Sequence, residues 1–347
     1  MKRDSYLDII KFLFAIMILF FHAGNEIFPG GRIAVEGYFM ISGYFMMISI
    51  AKAAGKEDSL GVSTVKFLRH KYVTLAQYLI PAVLIAVCAF VAAGITPLSE
   101  AVRNAPLLLF EIIPMNAFGF EGYYVVGISW YLSSMLFALA VLYPLCRRFG
   151  QNFVLIVGIP VVLLIYGYLY IVIGSMAVPG WLMEPIPVPT SLLRGLAGCL
   201  AGCILYEAVK WLREYRLSSM GRAAVVLFEI WGFGYVFYAC RKLAKSEYDY
   251  FLVFLIFALL LIGISGITGL KRYYSFAGTK VLGIVSTLIV LNHYQWTDFI
   301  IAKTGGFTTA HIPYYLLATG CSSALCYLIG NAVLNNLRGC LVLRNAK

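Results

Sequence analysis

Long apolar runs separated by short polar, mostly basic segments dominate this chain. Ten stretches stand out, at 7–23, 33–50, 72–94, 128–146, 153–174, 191–209, 223–240, 250–267, 281–301 and 312–334. A helix rises 1.5 Å per residue, so about 20 apolar residues cross the hydrocarbon core of a bilayer. The pattern therefore predicts an all-α, polytopic transmembrane bundle of ten spans, forming one integral-membrane domain over 1–347. A further apolar stretch, 105–113, is too short to cross and is read as interfacial or re-entrant. Counting it as a span would invert everything after it.

Loop charges orient the bundle. With the N-terminus and C-terminus both in the cytoplasm, nineteen basic residues fall on cytoplasmic segments and seven outside. That asymmetry fits the preference of Lys and Arg for cytoplasmic loops. Arg241, Lys242 and Lys245 sit on the wrong side of it. The first run carries Asp8 and Lys11 and lacks a small-residue cleavage signal, so it is read as a retained span.

Composition agrees with the pattern: 61% of residues are apolar and only 12% charged, about half the charge of a soluble domain. A water-soluble globule is excluded. The net charge of +11 reports basic loops facing anionic lipid, and nothing beyond it supports nucleic-acid binding. The eight cysteines form no CxxC pair and have no neighbouring histidines, so they read as small buried hydrophobes, and no metal site is expected. No Walker loop, Rossmann glycine pattern, HExxH or GxSxG is present.

Charged residues within spans are costly and informative. Glu207 and Asp298 lie near span ends and are expected to snorkel, and Glu229 to pair with another helix. Lys11 and His22 lie eleven positions apart, about 20° beyond three full helical turns, which puts both on one face and about 16 to 17 Å apart along the axis. An interfacial histidine and a snorkelling lysine would satisfy this spacing. So would chemistry: a neutral imidazole takes a proton from a hydroxyl or attacks an acyl group itself, and a cation toward the cytoplasm suits a phosphorylated donor.

The surrounding residues resemble membrane acyltransferase family 3, integral-membrane O-acyltransferases that modify bacterial surface sugars. The first match is a basic residue, ten intervening residues and a histidine: Tyr6-Leu-Asp8-Ile-Ile-Lys11 running on to Phe-Phe-His22-Ala23. Arginine is usual at the basic position, so Lys11 keeps the charge but not the bidentate fork. A second match is Val35-Glu36-Gly37-Tyr38-Phe39-Met40-Ile41-Ser42-Gly43-Tyr44. Phe67-Leu68-Arg69-His70-Lys71-Tyr72 resembles a basic entry to the third helix, with Thr74 where a second arginine is usual. Trp130-Tyr131-Leu132 with Tyr143-Pro144, Arg194 before a glycine-rich helix, and Leu282-Gly283 through to His293-Tyr294 extend the likeness along nearly the whole chain.

The resemblance implies acyl transfer, with acetyl the expected group, from cytoplasmic acyl-CoA as co-substrate to a hydroxyl of an extracytoplasmic or lipid-linked glycan. It implies a multi-pass protein of the bacterial cytoplasmic membrane. His22 is then the catalytic base or a transient acyl carrier, Lys11 positions the donor, and Glu36 orients His22, unless that carboxylate is merely solvated. Arg69 and Lys71 are expected to contact donor phosphates, although positive-inside topology alone would put them there. Arg194, His293 and Trp130 are expected to line the path of the substrate, Trp130 otherwise serving in an interfacial belt. Acceptor recognition is expected on the outer segments 95–127 and 179–189. A transporter or flippase for a polar solute or lipid-linked sugar would use the same intramembrane charges, but no internal repeat is visible. Oligomeric state is not legible in the sequence.

Overall fold

A computed structural model describes residues 4–23, 27–55, 58–120, 122–176, 188–242, 248–274, 276 and 278–345, of 272 and 334–345 the backbone alone. Among the described residues every regular element is helical. In chain order the helices are α1 (Ser5–His22), α2 (Ala34–Ala53), α3 (Leu60–Ala92), the short α4 (Leu98–Asn104) and α5 (Leu109–Ile112), α6 (Ser129–Asn152) and α7 (Ile159–Ile173). They continue as α8 (Thr190–Leu212), α9 (Ser219–Lys242), α10 (Tyr248–Ser265), α11 (Thr279–Asn292), α12 (Tyr294–Thr304) and α13 (Ile312–Asn345).

Eight helical stretches among these residues are long and apolar enough to cross a membrane. The expected spans 128–146 and 153–174 fall in one such stretch, Ser129–Ile173, which Gly150 interrupts with φ of +60°. The expected span 281–301 is instead two short helices, α11 and α12. The break has a local cause. The Asn292 amide donates to the Leu288 carbonyl, and His293 Nδ1 reaches the carbonyls of Ile289 and Val290. Side chains thus take the acceptors that the next helical turn would use. The stretch 105–113 is a 3₁₀ turn followed by α5, too short to cross.

Outer helices carry apolar side chains outward, as in Leu164 at 70% and Ile171 at 83% exposure on α7, which suits lipid and not water. Inside, α2 and α8 pack side by side in the same direction. A Cβ on Gly43 would overlap the Cys199 carbonyl, and one on Gly202 the Met40 carbonyl. Small residues thus let two backbones approach closely. This contact holds Glu36 on α2 beside Arg194 on α8.

The ends of α1 are also fixed. Asp4 caps its start by accepting from the Tyr6 amide and is bound by Lys271 at 2.6 Å. At its far end, where helical carbonyls lack partners, the Tyr315 hydroxyl donates to Leu19 and the Thr297 hydroxyl to His22. Beside that end, Arg32 makes a buried pair with Asp249 at 2.8 Å, and Asp249 also accepts from Ser175 and the Met176 amide.

Candidate active site

His22 closes α1 among aromatic rings. Its ring centroid lies 5.1 Å from that of His293, 4.9 Å from that of Tyr294 edge-to-face, and 4.8 Å from that of Phe21. Gly127 makes room for Tyr294: it sits at φ of +70°, and a Cβ there would meet the tyrosine ring. The break between α11 and α12 is thus what brings His293 and Tyr294 to His22.

His293 is fully buried. Because carbonyls only accept, its Nδ1 carries the proton that it donates to Ile289 and Val290. Nε2 of the neutral ring is then an acceptor, and it has no hydrogen-bond partner among the described residues.

Beside His22 lies a cavity of about 30 Å³, lined by Ile18, Val35, Tyr38, Ile128, Trp130, Tyr131 and Val290, room for about one water. Tyr38 links this cavity to the lysine. Its ring forms part of the wall, while its hydroxyl donates to the Lys11 carbonyl at 2.5 Å. Lys11 Nζ lies 3.3 Å from Asp8, one turn below. Lys71 on α3 is half-buried and within electrostatic range of Lys11. Arg69, two residues before Lys71 on α3, is exposed.

Glu36 does not reach His22 as expected. It is fully buried, with Oε1 taken by Arg194 Nε at 2.7 Å and Oε2 by the Tyr166 hydroxyl at 2.7 Å. The reason is electrostatic: a guanidinium buried on α8 requires a counter-charge, and the close α2–α8 contact puts Glu36 beside it. Arg194 therefore does not line the cavity itself. It lies 5.2 Å over the ring of Trp130, which does. Glu36, Arg194 and Trp130 form a brace behind the cavity wall, and His293 takes the place beside His22 that Glu36 was expected to fill.

Two other expectations resolve locally. Glu207 is buried and paired with Lys210 at 2.8 Å instead of snorkelling alone. Glu229 is buried with neither carboxylate oxygen hydrogen-bonded to a described group. Of the segment 179–189, residues 179–187 lie outside the described residues.

The sequence reading missed Glu111. This buried carboxylate accepts from the amides of Val125 at 2.8 Å and Val126 at 2.9 Å and from the Ser129 hydroxyl at 3.2 Å. It thereby ties α5 to the entry of α6, where Trp130 lies. A carboxylate inside an apolar nonapeptide outside the spans was the available signal. Among the described residues no group of three or more His, Cys, Asp or Glu could hold a metal ion.

No curated protein and no solved structure matches the chain. The sequence model of one family, described as an acyltransferase domain, matches residues 4–331. That stretch runs from the cap of α1 through the histidine pair into α13, and the chain belongs to this acyltransferase family.

Proposed function

We propose that this protein is a membrane O-acyltransferase of the bacterial cytoplasmic membrane, with ten spans and both termini in the cytoplasm. It moves an acyl group, in our reading acetyl, from cytoplasmic acyl-CoA to a hydroxyl of an extracytoplasmic or lipid-linked glycan. The observation that carries this reading is the pair of imidazoles, His22 and His293, at the end of α1 opposite Lys11. A cation toward one side and a base toward the other suit a reaction whose donor and acceptor arrive from opposite faces of the membrane.

Two routes share this geometry. In direct transfer the acceptor oxygen attacks the thioester carbonyl while His22 takes its proton. The C–O bond forms, the C–S bond breaks, and the CoA thiolate leaves and is protonated. In the stepwise route an imidazole nitrogen of His22 attacks first, CoA leaves, and the acceptor hydroxyl then attacks the acyl-imidazole. Lys11 and Lys71 are placed to hold donor phosphates as point charges. Tyr38, which lines the His22 cavity and donates to the Lys11 carbonyl, connects the two ends of the proposed path.

The test uses purified protein in vesicles with labelled acetyl-CoA outside or inside. CoA release that disappears in a folded His22→Ala variant supports transfer, and release without acceptor selects the stepwise route. Movement of a polar solute or lipid-linked sugar, with no CoA release under any condition, overturns the proposal in favour of transport.

A further inference from the structure

The aliphatic part of the wall around the His22 cavity is of one chemical kind. Ile18, Val35, Ile128 and Val290 are all β-branched, and each comes from a different part of the chain. Ile18 lies one turn before His22 on α1, and Val35 is in the first turn of α2. Ile128 directly precedes α6, and Val290 lies one turn before His293 near the end of α11. The His22 imidazole therefore shares its cavity with a lining made largely of methyl groups.

This wall is stiff. β-branched side chains have little freedom at χ1, so they do not reshape a gap as the unbranched chain of Met does. The Ile128 amide donates to the Val126 carbonyl at 2.8 Å, and the Val126 amide is held by Glu111. The rings of the wall are pinned as well. Trp130 lies under the Arg194 guanidinium at 5.2 Å, Tyr38 donates to the Lys11 carbonyl, and Tyr131 packs on Phe39 with ring centroids 4.8 Å apart. A space of about 30 Å³ within such a wall takes a group the size of about one water.

The lining also selects by polarity. Its two hydroxyls already donate, Tyr38 to Lys11 and Tyr131 to Met135 Sδ at 3.6 Å. A sugar hydroxyl set against the aliphatic side would give up water without gaining a partner, and a phosphate would meet no cation in the lining. A methyl group gains by leaving water. Of the parts that the proposed reaction brings together, the end of a short acyl chain is the one that matches.

We infer that this cavity is the acyl pocket, and that Ile18, Val35, Ile128 and Val290 limit the transferred group to two carbons. With the carbonyl carbon at the imidazole, the acetyl methyl occupies the space among them, and each further methylene has to displace pinned wall atoms. The inference rests on the acyltransferase reading and extends it by naming the residues that choose the donor.

The test uses the full-length protein in vesicles of its native membrane, which hold the acceptor, with acetyl-, propionyl- and butyryl-CoA as donors. The rate that counts is the CoA release lost in His22→Ala. It is expected to fall from acetyl to propionyl to butyryl by roughly 10- to 200-fold per methylene. Val290→Ala and Ile128→Ala, on separate elements, each open one side, and each is expected to raise propionyl relative to acetyl transfer at least ~10-fold. Val290→Leu adds a methyl group to the pocket and is expected to slow acetyl transfer by a similar factor. Unfolding temperatures identify the variants that keep the fold. Equal His22-dependent rates with all three donors, or an unchanged donor ratio in the folded Ala variants, overturn the pocket and leave acyl transfer standing. No His22-dependent release from any donor overturns acyl transfer and the pocket with it.

Discussion

The imidazole of His293 lies against that of His22, ring centroids 5.1 Å apart, with its Nδ1 proton committed to the carbonyls of Ile289 and Val290. Its remaining nitrogen can only accept. In the proposed reaction His22 gains a proton from the attacking hydroxyl, and the Nε2 lone pair on the ring beside it can stabilise the imidazolium. His22→Ala is expected to reduce acetyl transfer at least ~100-fold. His293→Asn keeps a donor for the backbone carbonyls but removes the lone pair, and is expected to cost roughly tenfold in kcat, about 1.4 kcal/mol of barrier. Equal turnover of His293→Asn and the parent protein, both folded, would show that His293 only breaks the helix.

The Glu36–Arg194 pair is expected to behave as structure. Removing one member leaves a buried charge alone, at a cost of about 3–5 kcal/mol. Glu36→Gln and Arg194→Met should each lower the unfolding temperature in detergent. The double variant Glu36→Leu, Arg194→Met should recover much of the loss, because no uncompensated charge remains. Were Glu36 the partner of His22, the double variant would be stable and the pH profile of its transfer rate would shift. If it is a brace, that profile keeps its shape.

Lys11 supplies charge where a fork is usual in the family pattern. Lys11→Gln is expected to raise the KM for acyl-CoA with a smaller effect on kcat, since a donor-binding charge acts before chemistry. Lys11→Arg should bind the donor at least as well, because guanidinium offers paired hydrogen bonds to phosphate. Tyr38→Phe, which removes the hydroxyl bond to the Lys11 carbonyl, should speed CoA release if that side chain closes the passage. Unchanged donor kinetics in Lys11→Gln would move the phosphate site to Lys71 and its neighbours.

That the chain is built of long apolar helices was legible because hydrocarbon demands apolar length, and hydropathy reads length directly. That Lys11 and His22 share one helix was legible because the run that carries them is regular throughout. The partner of His22 was not. His293 reaches it only because Asn292 and His293 side chains intercept carbonyls and break a stretch that hydropathy reads as one span. Glu36 was assigned to His22 from its place near the outer end of the second span, whereas Arg194, 158 positions away, claims it through a helix contact that no local pattern encodes.

Glu111 links pH to the order of the outer segment. Burial pushes its carboxyl above its ordinary 4.5, opposed by hydrogen bonds from the Val125 and Val126 amides and the Ser129 hydroxyl. A carboxyl whose folded pKa exceeds its unfolded value favours the fold while protonated, and that contribution is lost as pH rises through the folded value. Glu111→Gln is neutral at every pH and keeps an acceptor for one amide. As pH rises from 4.5, the unfolding temperature of the parent protein is expected to fall relative to that of Glu111→Gln. Hydrogen exchange at Val125 and Val126 should follow the same course, because these amides are released when the segment loosens. A difference between the two proteins that does not change with pH would mean that burial and the hydrogen bonds cancel, and a parent protein that gains relative stability as pH rises would mean that the hydrogen bonds outweigh burial.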